Sequence, residues 1–114
     1  MSVIAPFPTG RDRRAIATFD RRELNRILDL YGRMVAAGHW RDYAIGLGPD
    51  AAVFAAFRRA AERPEVRIEK RPELRLKQGA FALVGEHGAV LKRGQDLAGV
   101  LAPLERRLMR LVGE

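Results

Sequence analysis

The sequence predicts an α+β fold: an N-terminal helix, an antiparallel sheet of four or five short strands, and a C-terminal helix, with both helices packed on one face of the sheet. Three observations carry this. Apolar residues recur at helical spacing towards each end of the chain and alternate with period two through its middle. Glycine- and proline-bearing turns separate the alternating runs. Each helical segment has one apolar stripe, which a sheet face can cover. With 114 residues, one domain with a modest core is expected.

Residues 1–18 read as a mobile basic arm. They hold Pro6, Pro8 and Gly10, then Arg11-Asp12-Arg13-Arg14, with no sustained period. Residues 19–114 read as a single α+β domain. The clearest helix lies within Phe19–Trp40. Asp20 is placed as N-cap, and Glu23 can reach back in a capping box. Phe19 and Leu24 have the spacing of a hydrophobic staple. Leu24, Ile27, Leu28, Tyr31, Met34 and Val35 form the expected stripe, and Gly38 is placed to end the helix in the left-handed conformation.

Strands follow. In Trp40–Leu47, Tyr43, Ile45 and Leu47 alternate with Asp42, Ala44 and Gly46. Gly48-Pro49-Asp50 signals a turn. Ala52–Arg59 alternates Val53, Ala55 and Phe57 with Phe54, Ala56 and Arg58, although its alanines also permit a helix. Glu65–Lys70 points Val66 and Ile68 inward. Leu74–Gly79 is a basic connector through Arg75 and Lys77. Ala80–Gly85 and Ala89–Lys92 form a hairpin whose Gly88 supplies a positive φ. Asp96 caps the last helix. Its stripe is Leu97, Leu101, Leu104, Leu108 and Leu111, widened by Val100 and Val112. Pro103 lies inside, where it removes a backbone donor and predicts a kink or a break.

Composition narrows the chemistry. The absence of cysteine excludes disulfides and thiolate metal sites. No apolar run approaches the roughly 20 residues of a membrane span, so no membrane partner is expected and a cytoplasmic location is the default. No Walker loop, dinucleotide fingerprint or nucleophile elbow is present. The only histidines, His39 and His87, read as surface or capping residues. Neither a cofactor nor a metal is implied.

The order of several words is specific. Phe19-Asp20-Arg21-Arg22-Glu23-Leu24-Asn25, Tyr31-Gly32-Arg33-Met34-Val35 and Trp40-Arg41-Asp42-Tyr43-Ala44-Ile45 are followed by Arg67-Ile68-Glu69-Lys70, Lys77-Gln78-Gly79-Ala80-Phe81 and Leu91-Lys92-Arg93-Gly94. The chain resembles a group of short bacterial proteins labelled domain of unknown function 2794, over about Phe19 to Leu111. The resemblance implies a self-contained small protein and brings no activity, ligand or catalytic residue with it.

The net charge of +7 raises the expectation of a polyanionic partner, nucleic acid first, in a regulatory role. The cations expected to meet it on the helix-free sheet face and its connector are Arg58, Arg67, Lys70, Arg75, Lys77, Lys92 and Arg93, with Trp40 and Tyr43 as candidate base-stacking residues. The alternative is a protein–protein adaptor or homodimer using the same face, where Phe54 and Val84 would supply an apolar patch. A deep pocket holding His39 or His87 beside a buried carboxylate would instead mark small-molecule chemistry.

Overall fold

The computed structural model describes residues 16–59 and 63–113. Its elements are α1 (Arg21–Ala36), β1 (Asp42–Leu47), β2 (Ala52–Phe57), β3 (Val66–Lys70), β4 (Phe81–Gly85), β5 (Val90–Gly94) and α2 (Leu97–Leu111), with a short 3-10 turn at Pro72–Leu74. The five strands form one antiparallel meander in the order β1-β2-β3-β4-β5. The segment Ala52–Phe57 is thus a strand, and its alanines do not turn it helical. Of the expected arm, residues 1–15 lie outside the described residues. Ala17, by contrast, is buried, and its N–H donates to the Gly48 carbonyl.

Both ends of α1 follow their local signals. The Asp20 carboxylate accepts from the Glu23 N–H at 2.8 Å, and the Glu23 carboxylate accepts from the Asp20 N–H at 2.8 Å. Gly38 has φ of +80°. The Gly38 N–H donates to the Val35 carbonyl and the His39 N–H to the Met34 carbonyl, completing a Schellman closure. Asp20→Ala is expected to cost about 1 kcal/mol by loss of the box. An unchanged denaturant midpoint would refute that role.

The buried line of α1 is Ile27, Leu30 and Met34. Leu24, Leu28 and Tyr31 are only partly buried, and Val35 is exposed, so the stripe is rotated from the expected one to include Leu30. In α2 the Asp96 carboxylate caps the Gly99 N–H at 2.8 Å. The helix runs unbroken through Pro103, so of the expected kink or break the break does not occur. Burial of Val100 and Leu101 before the proline and Leu104 and Leu108 after it holds both halves on the same core. Leu111 and Val112 lie beyond that contact and are exposed.

Register decides the two sheet faces. Phe54 stands opposite Ile68, and Ile68 opposite Leu83. Together with Ala56 and Val66 they form the floor of the core beneath both helices. The next row, Ala55, Arg67 and Val84, points the other way. The expectation that Phe54 and Ala56 share the helix-free face with Val84 is therefore corrected. β2 has an apolar residue on each face, so its alternation alone could not choose between them.

Candidate anion-binding cleft

The seven cations expected on the helix-free sheet face and its connector do not share one surface. Arg67 and Arg93 do occupy the helix-free face, on adjacent rows. Arg67 Nε and Arg71 Nε each lie 3.4 Å from Glu69, whose carboxylate is buried between them. Lys70 sits on the helix side, where its Nζ reaches Glu23 at 2.7 Å and the Thr18 carbonyl at 3.1 Å. A register shift between Leu83 and Val84 sets Lys92 opposite Leu83, again on the helix side. Arg75 and Lys77 lie in the connector below β4, and Arg58 lies just past the opposite end of β2.

The stacking and patch residues are also redistributed. Trp40 is 1% exposed. Its ring stacks on Tyr31 at 6.0 Å, and its Nε1–H donates to Glu65 at 2.7 Å. A base cannot reach it, so its role is in the core. Tyr43 stacks on Phe54 at 5.1 Å and meets the edge of Tyr31 at 5.0 Å, leaving its rim half-exposed. Phe54 and Val84 are both buried, on opposite faces, and form no common patch.

What the fold does assemble is a cleft at the end of the sheet where α1 stops. It has a volume of about 640 Å³ and is lined by Gly38, His39, Arg58, Arg59, Arg63, Glu65 and Glu86. The Schellman closure turns the chain so that His39 enters this space. The end of β2 delivers Arg58 and Arg59, the approach to β3 delivers Arg63 and Glu65, and the β4–β5 turn delivers Glu86. Arg59 holds φ of +31°, a left-handed conformation unfavourable for a residue with a Cβ. Such outliers concentrate where function fixes the backbone.

Glu65 anchors the wall. Its carboxylate accepts from Trp40 and from Arg107 of α2, while His39 Nε2 lies 3.3 Å away and also faces Arg107. Burial alone would raise the Glu65 pKa, but the hydrogen bonds from Arg107 and Trp40 and the adjacent guanidinium charge outweigh it and hold the group below the usual carboxylate range. His39 is thus an inward-facing residue of this cluster, not a surface one. His87 is exposed, with Nδ1 3.4 Å from Arg63 Nη1.

This geometry meets the expectation for small-molecule chemistry only in outline. A general acid or base needs a pKa near the working pH, whereas Glu65 is pushed the other way and both its oxygens are occupied. Among the described residues the lining offers no hydroxyl or thiol nucleophile. Among the described residues no three His, Asp or Glu side chains converge as a metal-ligand set. By contrast Arg58, Arg59 and Arg63 have no carboxylate within 4.0 Å among the described residues. Guanidinium groups so placed hold phosphate or carboxylate oxygens through paired N–H donors.

Comparison with known sequences bears on the family. A model of the family described as "Protein of unknown function (DUF2794)" matches residues 17–101. The chain belongs to the DUF2794 family. The DUF2794 match takes in α1, all five strands and the start of α2, and so the whole sheet and every residue lining the cleft. No curated protein and no solved structure matches the chain.

Sequence reading did not single out Arg59, Arg63, Glu65, Glu86 or Arg107. A signal was present in Arg58-Arg59 and Arg63, which bracket the break before Pro64. The Glu65 contacts, by contrast, span 25 to Trp40 and 42 to Arg107 along the chain, beyond any local pattern.

Proposed function

We propose that this protein binds a polyanionic macromolecule, nucleic acid first, through the arginine-lined cleft at the end of its sheet. The observation that supports this reading is the convergence of Arg58, Arg59 and Arg63 on one cleft with no described carboxylate within salt-bridge distance. Glu65 is engaged by Arg107, so of the described lining carboxylates Glu86 remains to offset the three. The cations of the sheet and connector are dispersed, and Arg67, Lys70 and Arg71 are already paired. A phosphate backbone supplies anions in series, and its recognition by such a cluster is largely independent of sequence.

Fluorescence anisotropy with short single- and double-stranded oligonucleotides at low salt tests the proposal. Binding is expected, with log affinity falling by about one unit per log unit of salt for each phosphate neutralised. The triple change Arg58→Gln, Arg59→Gln and Arg63→Gln should weaken binding at least about tenfold, which corresponds to about 1.4 kcal/mol. The triple change Arg75→Gln, Lys77→Gln and Lys92→Gln should have a smaller effect. The reverse ranking would move the site to the connector. No binding at about 10 μM protein would overturn the proposal, since non-specific nucleic-acid affinities fall in that range even at physiological salt.

A further inference from the structure

We propose that two copies of the chain pair through the outer edge of β1, antiparallel about a two-fold axis at Ile45, to form one continuous ten-stranded sheet. β1 ends the sheet, and all six of its residues are exposed. Tyr43, Ile45 and Leu47 are 43%, 41% and 54% exposed, although they point to the helix side, where the equivalent residues of β2 are buried. Tyr31 touches Tyr43, and the partly buried Leu28 and Leu24 follow one and two turns back along α1, so the apolar strip extends past the strand.

The backbone faces the same way. Gly48 N–H donates inward to the Ala51 carbonyl. In an antiparallel ladder bonded positions alternate, so Gly46, Ala44 and Asp42 also bond towards β2. That leaves the N–H and C=O groups of Tyr43, Ile45 and Leu47 directed outward, with the Tyr43 N–H donating to the Asp42 carboxylate at 2.8 Å, an acceptor that the carbonyl of a second strand would replace. Exposed edges are normally blunted by charge, proline or a bulge; here only Asp42, at the start of the strand, does so, and Ile45 to Leu47 has none of these.

The occupant that fits is a second β1. Pairing about Ile45 sets Ile45 against itself and Tyr43 against Leu47 of the second copy, so the outward-bonding residues and the apolar row coincide on both strands. Ala44 and Gly46 meet on the other face, where their small size leaves no clash. The paired stretch runs from Tyr43 to Leu47 of each copy and stops there, because the Gly48 carbonyl already accepts from Ala17. The chain's own N-terminal stretch is a poorer candidate. Ala17 bridges Gly48 in the antiparallel sense, so a strand continued backwards from Ala17 would face the Gly48–Asp50 turn and not Tyr43–Leu47.

Sedimentation equilibrium at high micromolar concentration should give twice the chain mass for the parent and the single-chain mass for Ile45→Lys, which places like charges opposite each other. Leu76→Lys, at an 86% exposed connector position, should remain dimeric, and unchanged circular dichroism should show all three folded. The chain has no cysteine, so Ile45→Cys introduces a sole thiol. Directly opposed bonded residues have Cα atoms about 5.5 Å apart, within disulfide range, and oxidation should link Ile45→Cys into dimers far faster than Leu76→Cys. A monomeric parent overturns the proposal. So does a dimer that persists in folded Ile45→Lys, and so does a monomer whose Ile45 and Leu47 amides are protected from hydrogen exchange.

Discussion

Replacing Gly79 by alanine is expected to cost on the order of 3 kcal/mol of folding stability, among the largest effects of any single methyl group here. Gly79 lies where the connector turns into β4, with φ of +105°. A Cβ there would sit 2.5 Å from the Gly94 carbonyl oxygen and 2.9 Å from its Cα, both backbone atoms. Gly94 ends β5 opposite Phe81, so it cannot withdraw without pulling on the ladder. The Gly79 N–H also donates to the Leu74 carbonyl, which accepts from Lys77 and Gln78 as well, fixing the turn from its other side. Gly88 makes the comparison sharp. Its φ is +90°, but nothing stands within 4 Å of its would-be Cβ. Gly88→Ala should therefore cost only the conformational penalty, about 1 kcal/mol. Urea midpoints of the two variants separate backbone collision from backbone preference. Equal shifts would show that the approach of Gly94 is not rigid.

Glu65→Ala should cost about 3 kcal/mol, towards the lower end for removing one member of a buried ion pair, because Arg107 is 30% exposed and can regain water. The loss has two parts. Arg107 is left without its counter-charge, and the Nε1–H of Trp40, in a ring only 1% exposed, is left without an acceptor. Glu65→Gln should fall between, since its amide oxygen can still accept from Trp40. The pH dependence gives a second readout. The folded-state pKa of Glu65 lies below its unfolded value. Its contribution to stability is then complete above the ordinary glutamate range and is lost as pH falls through the depressed value. Chemical denaturation from neutral pH down into that acidic range should show the parent losing its advantage over Glu65→Gln. Parallel stability curves for the two would exclude the ion pair as the cause.

The parts of this fold legible in the sequence are those whose physics is local. The Asp20–Glu23 box, the closure at Gly38, the hairpin glycine Gly88 and the Asp96 cap each depend on residues within a few positions, and each stands where the spacing put it. The strands were legible because their alternation is local too. The choice of face for β2 was not, since Phe54 is directed inward by Ile68 and Leu83 on other strands. The cleft was legible least of all. His39, Glu65 and Arg107 come from the end of α1, the approach to β3 and the last half of α2, and only tertiary closure makes them neighbours. Pro103 does not break α2 for a related reason: packing on both sides of it outweighs the missing donor.

The meander has a consequence for how the chain reaches this structure. Each strand bonds only to its neighbour in sequence, so the sheet can grow by successive short closures, each with a small entropic cost. The helices are the exception. The Arg26–Glu105 contact joins residues 79 apart, and α2, synthesised after the sheet, packs on β4 and β5. Until it arrives, Phe81 and Leu83 have no lid. During synthesis the part of the apolar floor beneath α2 is therefore open to its surroundings, and sealing the core waits for that helix to emerge.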